Sequence, residues 1–173
     1  NFINQLKDQP KANVLVYEYF HNGSGVAVGD LNQDGLPDVY FGANMAQNKL
    51  YLNKGNLTFQ EVTNVAGAGG SKGWVTGVSM ADVNADGLLD IYVCRSGNFT
   101  PDRRKNELLI NKGPDAAGVP HFEEMGSAFG LDDDSYSTQA SFFDYDLDGD
   151  LDVYLLNHNI HRTNDNELER LKN

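Results

Sequence analysis

An acidic segment of fixed layout occurs three times along the chain, and no other feature restricts the fold so tightly. The copies are Gly25 to Asp38 (GVAVGDLNQDGLPD), Gly77 to Asp90 (GVSMADVNADGLLD) and Gln139 to Asp152 (QASFFDYDLDGDLD). Each leads into an apolar run: VYFG, IYVC and VYLL. Asp30, Asp82 and Asp144 open the acidic parts, 52 and 62 residues apart. The longer second interval carries additional residues in 97–105 and 114–120, both of loop composition. Self-similarity at this spacing is the mark of a repeat architecture.

The repetition continues downstream. LYLNKG (Leu50 to Gly55) matches LLINKG (Leu108 to Gly113), and each precedes a phenylalanine-led stretch, TFQEVT and HFEEMG. One repeat therefore reads strand A, acidic loop, strand B, loop, strand C, Asn-Lys-Gly turn, strand D. Short strands separated by Gly/Asn turns predict four-stranded antiparallel units. A sheet of about fifty residues cannot bury both faces alone and must stack on neighbours, as a propeller blade does. The fold class expected is all-β: a partial β-propeller of about three blades. Residues 23–73 form blade 1, 74–134 blade 2, and 135–173 an incomplete blade 3 with a polar tail, in which Asp165 to Lys172 reads as a short helix. Residues 1–22 read as the outer part of a preceding or closing blade, with a strand over Val14 to Phe20.

The loops place oxygen-bearing side chains at positions 1, 3, 5 and 9. The first offers Asp30, Asn32, Asp34 and Asp38, and the second Asp82, Asn84, Asp86 and Asp90. The third offers Asp144, Asp146, Asp148 and Asp152. The carbonyls of Leu36, Leu88 and Asp150 at position 7 complete the candidate sets, and the Asp150 side chain is surplus to the pattern. Calcium takes six to eight oxygens at about 2.3–2.6 Å, and short Asp/Asn side chains let a tight loop supply them. Glycine at position 6 permits the turn. Without a cation, three or four carboxylates would repel within a few ångströms. Ten of the 25 acidic residues fall in these sets, and three calcium ions would move the net charge from −12 to −6. The acidity thus reads as metal ligation rather than a solvated surface. A helix–loop–helix calcium hand needs glutamate at position 12 and helical flanks. Here position 12 is Phe41, Val93 or Leu155, and both flanks read as strands.

These loops, with the preceding GVAVGD and GVSMAD and the following DVYFG and DIYVC strands, resemble the FG-GAP and VCBS repeats. Such repeats occur in the integrin α-chain propeller and in many bacterial secreted proteins. The resemblance spans about residues 20–160. It implies an extracellular, periplasmic or cell-surface location and a calcium-stabilised propeller, often seven-bladed, used for binding. With fewer than three complete blades, the chain departs from that pattern.

The same acidity excludes non-specific nucleic-acid binding, which needs a basic footprint. No stretch is long and apolar enough to span a membrane. The single cysteine, Cys94, reads as a small buried hydrophobe. Beginning at Asn1 rather than methionine, the chain reads as a processed form. Asn22, Asn56 and Asn98 open glycosylation sequons, which matter only in a eukaryotic secretory route. His158 and His161 lack the further soft ligands that zinc would need.

Strand direction puts the B–C and D–A loops on the face away from the acidic loops. Trp74, Tyr136, Arg95, Arg103 and Arg104 are candidate ligand-binding residues there, suited to a protein or an acidic glycan. Packing between blades is the competing role for the two aromatics. No Ser/His/Asp grouping or phosphate-cradling loop is present. The function expected is therefore a non-catalytic, calcium-binding module for extracellular binding, adhesion or scaffolding, within a longer propeller or self-associating. The alternative is part of a secreted propeller enzyme acting on polysaccharides, using Glu61, Glu123 or Glu124.

Overall fold

A computed structural model describes residues 2–159. The expected helix at 165–172, His161 and most of the polar tail lie outside the described residues.

Among the described residues ten strands form three antiparallel sheets. The first contains β1 (Val26–Gly29), β2 (Asp38–Phe41), β3 (Lys49–Asn53) and β4 (Phe59–Glu61), hydrogen-bonded in chain order. The second repeats that order with β5 (Trp74–Ala81), β6 (Asp90–Ser96), β7 (Glu107–Pro114) and β8 (Pro120–Glu124). The third pairs β9 (Ser137–Phe143) with β10 (Asp152–Asn157). These are the strands A to D expected in each blade, the third represented among the described residues by A and B. Among the described residues the one helical turn, α1 (Pro101–Arg104), lies in the 97–105 insertion and starts on a proline, whose fixed φ suits a first helical position.

Strand β6 shows why the blades stack. Ile91 and Val93 face a cluster with Tyr40, Leu50, Leu52, Val75 and Leu109, between the first and second sheets. Tyr92 and Cys94 face a second cluster with Leu108, Ile110, Ala140, Phe142 and Val153, between the second and third. Successive side chains of a strand point to opposite faces, so a strand sandwiched between two neighbours is apolar at every position. All seven residues of β6 are buried. Cys94 lies in this packing as read from the sequence, and burial pushes its thiol up to about 12, which leaves it unreactive at neutral pH.

The first strand of each sheet is innermost, with β5 flanked by β1 and β9. Two glycines allow that approach. A Cβ on Gly25 would lie 2.3 Å from the Val78 amide nitrogen, and one on Gly77 would lie 2.3 Å from the Thr138 carbonyl oxygen. Hydroxyls then stitch the strands: Thr76 donates to the Ser137 carbonyl at 2.7 Å and Ser79 to the Ala140 carbonyl at 2.6 Å.

The strand expected over Val14 to Phe20 does not form; these residues run through consecutive turns. Asn13 redirects the backbone, because its side-chain oxygen accepts from the amides of Leu15 (2.9 Å) and Val16 (3.2 Å) and its carbonyl from that of Tyr17. Such local Asx bonding competes with strand pairing and here overrides the β-branched run. The turns deliver Tyr17 and Phe20 onto Trp74, forming a third cluster at the end of the molecule away from the acidic loops.

Candidate metal centres

Each acidic loop joins an A strand to its B strand, and loops 1 and 2 share almost every internal bond. In loop 1 the Asp30 carboxylate accepts from the amides of Asp34 (3.2 Å) and Gly35 (2.8 Å); in loop 2 Asp82 accepts from Asp86 (3.0 Å) and Gly87 (2.8 Å). Asp34 accepts from the Leu36 amide and Asp86 from the Leu88 amide, both at 2.9 Å. The amide groups of Asn32 and Asn84 donate to Asp34 and Asp86. The backbone turns by two left-handed residues per loop. Position 4 is non-glycine (Gln33 φ 61°, Ala85 φ 55°, Leu147 φ 64°), and position 6 is Gly35, Gly87 or Gly149, with φ from 82° to 97°. A Cβ at those three glycines would meet nothing within 4 Å, so glycine is required there by φ and not by space.

Position 9 is structural as well as acidic. Asp38 accepts from the Leu31 amide (3.0 Å) and the Asn53 amide (2.9 Å), and Asp90 from Val83 (2.9 Å) and Asn111 (2.8 Å). Burial raises both carboxyls above their ordinary value, against the lowering effect of those amides. Asn53 and Asn111 open the Asn-Lys-Gly turns, which explains why the turns recur with the loops: each turn anchors its own acidic loop. Asn111 also reaches across blades, donating to the Leu31 carbonyl of loop 1 at 2.8 Å.

Loop 3 differs at position 3, where Asp146 replaces the asparagine. A carboxylate cannot donate to Asp148 as Asn32 does to Asp34, so the internal neutralisation is lost. Asp144, Asp146 and Asp152 bring carboxylate oxygens within 4.8 Å of one another. One oxygen of Asp144 is buried and has no hydrogen-bond partner. Two oxygens bound at about 2.3–2.6 Å to one ion can be at most about 5.2 Å apart. The separation, the all-oxygen donors and the orphaned Asp144 atom all fit calcium. Asp148 is held below the usual carboxylate range, chiefly by the Asp150 amide, while Asp150 is pushed up by Asp148; its side chain is exposed, in keeping with a surplus position.

The candidate ligand-binding residues are at the opposite end, as strand direction dictates, but most are internal. Trp74 is buried under Tyr17 and Phe20. Arg95 is 1% exposed, ion-paired with buried Glu107 and donating to Ser71. Arg104 donates to the carbonyls of Asp134 and Phe99 and stacks over Tyr136 at 4.2 Å. Trp74, Arg95 and Arg104 are buried and Tyr136 is half-buried, so these four serve packing between loops. A stretch that looks basic in sequence spends Arg95, at the end of β6, on the buried Glu107 carboxylate and Arg104, in the insertion, on backbone carbonyls. Only Arg103 is exposed, its guanidinium 4.3 Å from the centre of the Phe99 ring. Lys7 and Lys72, far from the insertion in sequence, join it around one cavity, which only the fold reveals.

Residues 30–93 match the family model described as FG-GAP-like repeat. The chain is also similar to cartilage acidic protein 1 from two vertebrates. Identity is 27% over 140 residues with the Xenopus tropicalis protein, covering 80% of this chain, and 29% over 140 residues with the Mus musculus protein, covering 78%. The chain spans about a fifth of the length of these relatives.

Proposed function

Starting from an FG-GAP-like repeat protein with stacked four-stranded blades, we propose a calcium-stabilised, non-catalytic binding module that works outside the cytosol. The observation that carries this reading is the buried, partnerless oxygen of Asp144 among the clustered carboxylates of loop 3. A buried anionic oxygen without a donor is costly, and a cation is what its neighbours are arranged to supply. Loops 1 and 2 repeat the backbone turn with one fewer carboxylate each, so all three loops are assigned one calcium. Their ligands are Asp30, Asn32, Asp34, the Leu36 carbonyl and Asp38, with the equivalent residues of the other two loops.

Exposed loops of this kind suit extracellular calcium, where dissociation constants run to roughly 0.1–1 mM. They would be largely empty in a calcium-poor cytosol, which favours a secreted or surface location. Calorimetric titration of chelator-treated protein tests the reading. Three calcium sites in that affinity range are expected; absence of calcium binding overturns it, and nanomolar binding removes the argument for location.

A further inference from the structure

The end away from the acidic loops contains a cavity of about 820 Å³, built wholly from connections. Its walls come from the amino-terminal segment, the β2–β3 loop, the β4–β5 loop and the β6–β7 insertion. Lys7, Lys72 and Arg103 line it, and no aspartate or glutamate does. In a chain with 25 acidic and 13 basic residues, that is a local reversal of sign. None of the three cations forms an ion pair among the described residues. Beneath the floor, Glu107 is buried and paired with Arg95; it accepts from the Ser71 amide and hydroxyl and so fixes the Gly70–Ser71 floor. Phe99 holds the Arg103 guanidinium over its ring.

We propose that this cavity binds an acidic oligosaccharide, one carrying carboxylate or sulfate groups. The inference rests on the binding-module reading above and gives it a ligand class. The volume is within the range of about 300–1,000 Å³ typical of small-ligand sites. A concave site lined by one sign of charge focuses its field on an oppositely charged ligand. Exposed Gln5 and Gln47 add amides that can both donate and accept, the pairing that sugar hydroxyls require. No strand lines this cavity, so a peptide could not be held there by strand addition.

The test is calorimetry in millimolar calcium with a heparin-derived tetrasaccharide, neutral chitotetraose and hexaglutamate as probes, with thermal melts run alongside. The sulfated tetrasaccharide is expected to bind and chitotetraose not to. Lys72→Ala and Arg103→Ala should each weaken binding about tenfold, the loss of one charge-assisted contact. Lys54→Ala, on the turn at the acidic-loop end, should leave binding unchanged. The proposal is overturned if the tetrasaccharide does not bind, if hexaglutamate binds more tightly, or if Lys54→Ala weakens binding as much as the cavity variants. These results are separable from the calcium reading. Tetrasaccharide binding by a protein whose melting midpoint ignores calcium supports the cavity and removes the metal sites, while a calcium-raised midpoint without binding does the reverse.

Discussion

A single oxygen of Asp144 separates two accounts of the acidic loops. Were loop 3 an ordinary turn, that buried atom would find a donor, as the equivalent Asp30 and Asp82 carboxylates do. Asp144→Asn is therefore expected to act in opposite directions under two conditions. In chelator it removes one of the mutually repelling carboxylates of loop 3, and the melting midpoint should stay level or rise. In calcium at about twenty times the dissociation constant it should forfeit roughly 2 kcal/mol, the stabilisation from one site. Differential scanning calorimetry of both proteins in both buffers reads the crossing; parallel shifts would refute it. A second residue-scale effect lies at His158. Its ring is 4.4 Å from that of Tyr19 and 5.6 Å from that of Tyr136, and its amide donates to the Tyr136 carbonyl. Burial lowers its pKa below the ordinary value, only partly opposed by Glu18. The unfolded chain thus binds this proton first, so the contribution of His158 is complete above about pH 6.5 and is lost as pH falls through the lower folded value. Midpoints measured from pH 7.5 to 5.5 should fall less steeply in His158→Gln than in the parent.

Among the elements, the A strands carry the closest contacts between blades, and Gly77 is the tightest point available for test. Gly77→Ala needs no unusual backbone angle, yet its methyl would lie 2.3 Å from the Thr138 carbonyl oxygen, part of the backbone. Such overpacking costs about 1–3 kcal/mol, and a drop of several degrees in midpoint, in calcium and in chelator alike, is the expected result. Asn111→Ala acts between elements. It deprives the Leu31 and Leu89 carbonyls of a donor and the Gly113 amide of an acceptor, so a loss of about 2–3 kcal/mol is expected, with weaker calcium affinity in loops 1 and 2 together. Titration of the variant against Asp86→Ala, which should weaken loop 2 alone, would expose a purely local effect. These elements were legible because each blade repeats one pattern: alternation, Asx-rich turn and glycine all point to the same strands. Two kinds of feature were not legible. The turns at 14–20 depend on one Asn13 side chain outbidding strand propensity, and the cavity cations depend on which loops become neighbours. Basic residues close in sequence, such as Arg95 and Arg104, were misleading because burial and pairing are properties of the fold, not of the run.

At the scale of the whole molecule, the two outer blades differ from the middle one. β1 turns Ala27 inward and leaves Val26 and Val28 54% and 60% exposed; the far side of the third sheet leaves Phe143, Tyr154 and Leu156 43–62% exposed. A blade normally buries such side chains on the next blade. Burying the exposed half of five side chains of this size would contribute roughly 4–8 kcal/mol, against an association cost of about 4–15 kcal/mol. For residues 1–173 by themselves, the balance favours reversible contact between copies over tight assembly, whereas further blades in a longer chain would cover the same faces. The complementary faces are at opposite ends, so contact is head-to-tail, and such contacts either close into a ring or extend without limit. Two copies of three blades would make six, inside the usual range of about four to eight, which favours closure. Sedimentation velocity in millimolar calcium, over a concentration series reaching about 100 μM, should therefore show a monomer giving way to a discrete dimer. Val28→Lys, which places a charge on one end only, should keep the protein monomeric while leaving its calcium-dependent midpoint in place. A parent that stays monomeric throughout would mean that the uncovered faces are too small or too curved to meet, and a ladder of larger species would mean that the head-to-tail rotation does not close.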